Sequence, residues 1–238
     1  MMTNFLEASW KNLIMANYEI EPELLLPYIP KGTKLDFYNG KTFVSLVGFL
    51  FSDTRVFNIP IPYFGTFEEV NLRFYVTRQQ GQETKRGVVF INEVVPGKIV
   101  AWLANHLYKE HYKSMPTKRR WETNSRVKKI GYEWKTGKDW NKIYVEAEAV
   151  TSEIATASFE EFILEHYYGY TKINDTATEE YTVNHIRWMV NQVNYYEIKC
   201  DFEFMYGPEF NILNKVEPHS VFLAEGSEVS VKWERKRF

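Results

Sequence analysis

The segment Phe67-Glu68-Glu69-Val70-Asn71-Leu72-Arg73-Phe74-Tyr75-Val76 alternates apolar and polar residues with a period of two. A strand sends successive side chains to opposite faces, so this period predicts a strand and fixes what each face carries. Val70, Leu72, Phe74 and Val76 fall on one side, and Glu69, Asn71, Arg73 and Tyr75 on the other. The first face requires a core to cover it. The second is either the wet side of a half-buried strand or the inner wall of a closed sheet. In the closed case Glu69 and Arg73, about 13 Å apart along the strand, would border one pocket. There an Arg would clamp a carboxylate and a Glu would relay protons.

The rest of the chain reads mostly as short strands. The N-terminal segment reads as a helix and a proline-flanked turn: Pro22 opens Glu23-Leu24-Leu25-Leu26, and Pro27, Pro30 and Gly32 stop it. After the turn dipeptide Asn39-Gly40, Thr42 to Phe51 is a strand, followed by a loop over 53–66. Gly87 to Ile91 continues as a strand, and Pro96 opens a helix with Ile99, Leu103 and Leu107 on one stripe. Arg126 to Trp134 and Ile143 to Val150 pair around a turn, and Thr182 to Val190 and Tyr196 to Phe204 are further strands. Ser158-Phe159-Glu160-Glu161 is a capping box that starts a helix with His166 on its stripe and Gly169 as a left-handed stop. Glu225-Gly226-Ser227 marks a terminal hairpin between Val221 to Ala224 and Val229 to Trp233. Strands outnumber helices, without the regular alternation of a doubly wound sheet. The expectation is an α+β, mainly β, antiparallel sheet or barrel forming one domain over residues 1–238.

Composition narrows the function classes. With 17% aromatic residues and 45% apolar, the 238-residue chain is not disordered, and no apolar run is long enough for a membrane helix. Cys200 is the only cysteine, which excludes an internal disulfide and fits a cytoplasmic location. Net charge is −2, although residues 109–142 are basic around Lys118-Arg119-Arg120-Trp121, residues 1–108 are neutral and residues 143–238 are acidic. That balance lacks the basic field of a nucleic-acid domain, so no nucleic acid and no membrane are expected as partners. Phosphate loops and the nucleophile elbow are absent. His106 and His111 lie five residues apart, off a common helix face, and no metal or other cofactor is expected. Glu165, His185 and Arg187 form a second, weaker polar cluster, and Cys200, on an apolar face, is not expected to be reactive.

Trp10 to Leu13, Asn17-Tyr18, Pro30 to Asp36, Val44 to Phe49, Glu69 to Val76, Gly87 to Phe90, Leu164 to Tyr167 and Ser220 to Trp233 together resemble the YqjF-like family of uncharacterised bacterial proteins. The Glu69–Val76 strand is the most specific element. The resemblance implies an acetoacetate decarboxylase-like fold, a cone-shaped antiparallel β-barrel with a few flanking helices and an internal pocket. In the decarboxylases a lysine, its pKa lowered by an adjacent lysine, forms a Schiff base with a keto acid. Their Y-P-K-K motif is not reproduced in Tyr108-Lys109-Glu110-His111-Tyr112-Lys113-Ser114. The natural alignment puts Tyr112 at the nucleophile and Lys113 at its partner, and Glu69 aligns with a pocket glutamate.

The expectation is therefore a small organic molecule, anionic if Arg73 holds it, bound by Glu69, Asn71, Arg73, Tyr75, Tyr112 and His166. The enzymatic alternative is a lyase acting on a keto acid, with Lys113 as nucleophile and Glu69 as proton carrier. A structural protein with a filled interior is the third reading, and a homo-oligomer is left open.

Overall fold

The computed structural model describes residues 4–61, 65–97, 112–232 and 236–238. Among these residues fifteen strands join in one hydrogen-bonded sheet. In chain order they are β1 (Asn4–Ile20), β2 (Lys34–Leu35), β3 (Thr42–Val56), β4 (Ile59–Pro60), β5 (Phe67–Gln80), β6 (Glu83–Val95), β7 (Tyr112–Ser114) and β8 (Thr117–Thr123). They continue as β9 (Val127–Thr136), β10 (Asp139–Ser152), β11 (Tyr168–Asn174), β12 (Ala177–His185), β13 (Val190–Lys199), β14 (Ser220–Lys232) and β15 (Lys236–Arg237). Among the described residues the α-helices are single turns or little more: α1 (Pro22–Leu25), α2 (Phe159–Leu164) and α3 (Phe202–Tyr206).

The order β12-β11-β6-β5-β3-β1-β14 closes on itself, because β12 also pairs with β14 from Val183↔Val231 to His185↔Val229. This ring of seven strands is the mainly β architecture expected from the sequence. Its pairings are antiparallel except β11 with β6, which run parallel, as do β6 and β7. From β14 the sheet continues through β13, β10 and β9 to the edge strand β8, and this wing folds back over the outside of the ring.

The period of β5 explains the two layers. Val70, Leu72, Phe74 and Val76 are fully buried against Ile130, Tyr132 and Trp134 of β9 and Ile143 and Val145 of β10. Each such side chain contributes about 1.5–3 kcal/mol by leaving water. Glu69, Asn71, Arg73 and Tyr75 point into the ring and are also buried. Their face is therefore not a wet one.

Several sequence expectations change. Asn4–Ile20, not assigned from the sequence, is the longest strand, and helix in this region is confined to α1 and the 3-10 turn Leu26–Tyr28. The loop placed at 53–66 is shortened, since β3 runs to Val56 and pairs with β4. The strand placed at Thr182–Val190 is two strands meeting at a corner, β12 and β13. The strand placed at Tyr196–Phe204 ends at Lys199, where Asp201 caps α3 by accepting from the Phe204 N–H. Phe204 is consequently exposed, on no apolar face.

Two glycines do different work from the expected. Gly169 lies inside β11, not at a helix stop, and a Cβ there would sit 2.1 Å from the Tyr181 ring. Gly226, at φ +83°, bends the continuous strand β14 in place of a hairpin, and a Cβ there would meet the Trp10 carbonyl oxygen at 2.0 Å. The capping box holds: Ser158 Oγ accepts from Glu161 N at 3.1 Å, while the Glu161 carboxylate accepts from Ala157 N at 2.6 Å. His166 lies just beyond this helix, not on it. The helix expected after Pro96, with Ile99, Leu103 and Leu107, and His106 and His111, fall outside the described residues.

Candidate functional site

A cavity of about 140 Å³ occupies the ring interior. Trp10, Phe49, Phe51, Phe90 and Trp188 supply aromatic walls, and Glu69, Asn71, Arg73, Glu93, His166 and His185 supply polar atoms. A volume of this order accommodates a benzene-sized molecule. Trp10 packs edge-on against Phe49 and Phe51, with ring centres 5.2 and 5.6 Å away. Edge-on contacts of this kind are a favoured aromatic geometry.

The inward face of β5 sets the polar wall. Asn71 Nδ2 donates to Glu69 Oε1 at 3.0 Å, so the amide orients the carboxylate. Asn71 Oδ1 finds no hydrogen-bond partner among the described residues, and neither does Arg73 Nε. Arg73 is 7% exposed and has no carboxylate within ion-pair distance among the described residues. Its guanidinium sits 5.7 Å from the centre of the Tyr75 ring. A buried, uncompensated guanidinium is costly and is a strong attractor for an anion.

Tyr75 shares the inward face of β5 but faces other protein groups. Its hydroxyl is 2.6 Å from Ser45 Oγ, which donates to Asn17 Oδ1 at 2.6 Å, so Tyr75 is the donor to Ser45. Asn17 Nδ2 in turn donates to Ser220 Oγ at 3.0 Å. The chain of bonds pins the Tyr75 ring, and His166 packs on it with ring centres 4.7 Å apart.

His166 is a buried histidine on the cavity wall. Its Nε2 lies 3.6 Å from Asp36 Oδ2, and Arg86 Nε donates to the same oxygen at 2.7 Å. Burial, reinforced by Arg86 and Arg73 and opposed by Asp36, brings the imidazole pKa down to about 4. Burial acts to raise Asp36, but the contacts with His166 and Arg86 outweigh it and leave its carboxyl below the usual range. Neither ring nitrogen of His166 has a hydrogen-bond partner among the described residues.

Of the residues singled out in the sequence, Glu69, Asn71, Arg73, Tyr112 and His166 come together around the cavity. Lys113 does not: next to Tyr112 on β7, it faces the outer surface, where Nζ donates to Met205 O at 3.2 Å. No lysine is among the described residues lining the cavity. The cluster Glu165, His185 and Arg187 is divided. His185 lines the cavity and stacks on Trp188 at 4.2 Å, whereas Arg187 pairs outside with Glu161 at 2.6 Å. The basic run is neutralised on the wing, Lys118 and Arg120 by Glu133 at 2.8 and 3.0 Å and Arg119 by Glu68 at 2.6 Å. Burial pushes the Cys200 thiol well above its ordinary pKa, which suppresses the thiolate.

Glu93, Asp36 and Trp188 were not found from the sequence. Glu93 is hidden by a register shift: Arg73 pairs with Phe90 and Leu72 with Asn92, so Ile91 is an extra residue in β6. One extra residue flips every later side chain to the other face, turning Glu93 inward and Val94 outward. Simple alternation from Phe90 would have put Asn92 inside. Asp36 meets His166 from 130 positions away in the chain, a separation no local pattern reports.

No helix among the described residues is long and apolar enough to cross a membrane, and no group of three His, Cys, Asp or Glu among them is placed to hold a metal.

The fold resembles solved structures at low identity. An acetoacetate decarboxylase-like enzyme from Sphingomonas wittichii RW1 superposes with a TM-score of 0.65 at 10% identity, covering 99% of this chain and 93% of that one. Acetoacetate decarboxylase from Legionella pneumophila gives 0.65 at 11% identity, over 99% and 88%. The enduracididine biosynthesis enzyme MppR complexed with pyruvate gives 0.63 at 8% identity, over 100% and 91%. These likenesses establish the shared fold. In sequence, the uncharacterized protein YqjF of Bacillus subtilis is 31% identical over 85 residues, which span 35% of this chain and 34% of that protein. The profile of the DUF2071 family, described as "Uncharacterized conserved protein (COG2071)", matches residues 7–228, and the chain belongs to that family.

Proposed function

We propose that the ring cavity binds a small organic anion, with an apolar body among Trp10, Phe49, Phe51 and Trp188 and a carboxylate on Arg73. The observation that carries this reading is Arg73 itself: buried, without a carboxylate partner among the described residues, and on the wall of a cavity large enough for a ligand. A guanidinium held this way is compensated by a planar anion that accepts two parallel hydrogen bonds. Asn71 and Glu69 supply further polar contacts toward the other end of the strand. The cytoplasmic location expected from the lone Cys200 belongs to the same proposal.

A thermal-shift series with pyruvate, isobutyrate and benzoate against the corresponding neutral amides tests it. The acids stabilise the protein in a concentration-dependent way and the amides do not. Arg73→Met abolishes the acid effect. Equal stabilisation by acids and amides, or full retention of the acid effect in Arg73→Met, removes the anion reading. Because Lys113 faces away from the cavity, borohydride trapping with pyruvate is expected to give no adduct at this lysine.

A further inference from the structure

Arg73 and His166 lean on the same ring. The guanidinium lies 5.7 Å and the imidazole 4.7 Å from the centre of Tyr75, whose hydroxyl is tied back to Ser45. The two groups thus share one short stretch of cavity wall, and among the described residues Arg73 Nε and His166 Nδ1 have no hydrogen-bond partner. A buried ring nitrogen left without a partner is uncommon, because its desolvation is then uncompensated. Behind it stands a carboxylate, Asp36, held in place by Arg86.

We infer that the cavity takes its anion together with a proton, Arg73 and His166 forming a two-part clamp and Asp36 holding the protonated imidazole from behind. The inference rests on the anion reading above and adds a proton stoichiometry and a positioning residue. Nε2 faces Asp36, which leaves Nδ1 as the nitrogen for the ligand carboxylate. Arg73 and Arg86 disfavour a positive charge on His166 and Asp36 favours it, while the carboxylates of Glu69 and Glu93 line the same cavity. A bound carboxylate beside Nδ1 offsets the two arginines and supplies a hydrogen-bond acceptor. Both effects favour the imidazolium. Tyr75 contributes a ring face, and His185, itself shifted downward by burial, also lines the wall. The bond changes balance simply: a solvent proton is added to the imidazole as the anion enters, and both leave together. The ligand class is a weak monocarboxylic acid of roughly benzoate size, taken up as the anion plus a proton.

Isothermal titration of the whole chain with benzoate, in buffers of differing ionisation enthalpy, counts the protons. The expected result is uptake approaching one proton per benzoate, with affinity rising by up to about tenfold per pH unit as pH falls from about 7.5 to 5. Benzoate itself stays ionised across most of that range, as carboxyl groups titrate near pH 4. His166→Asn and His166→Gln flatten the profile and abolish uptake while retaining weaker, Arg73-dependent binding. Asp36→Asn moves the uptake to lower pH, a change that a purely structural role for Asp36 would not produce. In the unaltered protein, nitrogen NMR of labelled histidines shows His166 passing from neutral to cationic as benzoate saturates. Saturable binding without proton uptake, or uptake that persists in both His166 variants, overturns this inference and leaves the anion site standing. Failure of benzoate, isobutyrate and pyruvate all to bind removes the anion site, and this inference with it.

Discussion

Two arginines on β5 are treated in opposite ways. Arg73 faces the cavity without a carboxylate among the described residues, whereas Arg78, five residues further along, donates to Glu180 Oε2 at 2.5 Å. Glu180 also accepts from the buried Lys85 on the neighbouring strand β6 at 2.7 Å. At this edge the protein compensates its cations with a carboxylate from β12. At Arg73 no carboxylate among the described residues does so, and the guanidinium is left on the cavity wall. The difference separates a cation compensated within the ring wall from the one that the proposed function assigns to a ligand.

That contrast can be broken most severely at Glu180. Burial alone would raise its pKa, but Lys85 and Arg78 outweigh burial and hold its carboxyl below the ordinary range. Glu180→Gln leaves two cations near each other in the wall, and a loss of about 3–5 kcal/mol is expected in urea unfolding. A depressed carboxyl pKa gives stability that is complete above the unfolded-state value and fades as pH falls through the folded value. The gap between wild type and Glu180→Gln should therefore narrow in acid. A loss under about 1 kcal/mol at neutral pH would show that the edge cluster is not structural.

His166 gives the next largest effect. Its folded-state pKa lies near 4, below the unfolded value near 6.5, so falling pH protonates the unfolded chain first and destabilises the protein across that window. Between pH 7 and 5 this amounts to about 2 kcal/mol. The same unfolding experiment on His166→Asn should lose that increment, and an unchanged pH dependence would place the imidazole in contact with water. Arg73→Met follows, with stability rising by about 1 kcal/mol or more because an unmatched buried charge is removed. Arg78→Met should do the reverse. If the two variants destabilise alike, the distinction between them fails. The smallest effect is expected at Lys118, whose pair with Glu133 is 41% exposed on the lysine side. Lys118→Ala should change stability by less than about 1 kcal/mol.

How much of this was legible depends on whether the chain carried the information locally. β5 was readable because its two faces pack against different things, one against the wing and one around the cavity, and that difference is written as alternation. β1 was not, because Leu13, Ile14, Met15 and Ala16 are all buried, which erases the period. The continued alternation after Lys199 misled, since Asp201 ends the strand by capping α3 and alternation alone carries no stop signal. Gly226 looked like a turn residue. Its actual requirement is the Trp10 carbonyl 2.0 Å from where a Cβ would lie, a contact made by a strand more than 200 residues away.

The sequence by itself determined that this chain is mainly β, that Glu69, Asn71 and Arg73 share a face, and which family it belongs to. Those properties depend on the order of neighbouring residues, which strand geometry converts directly into position. Only the tertiary structure decided that the shared face is buried around a cavity, that Glu93 joins it, that Lys113 leaves it, and that His166 meets Asp36. Ring closure, a one-residue bulge and contacts between distant strands produce these, and each is settled by packing over the whole molecule.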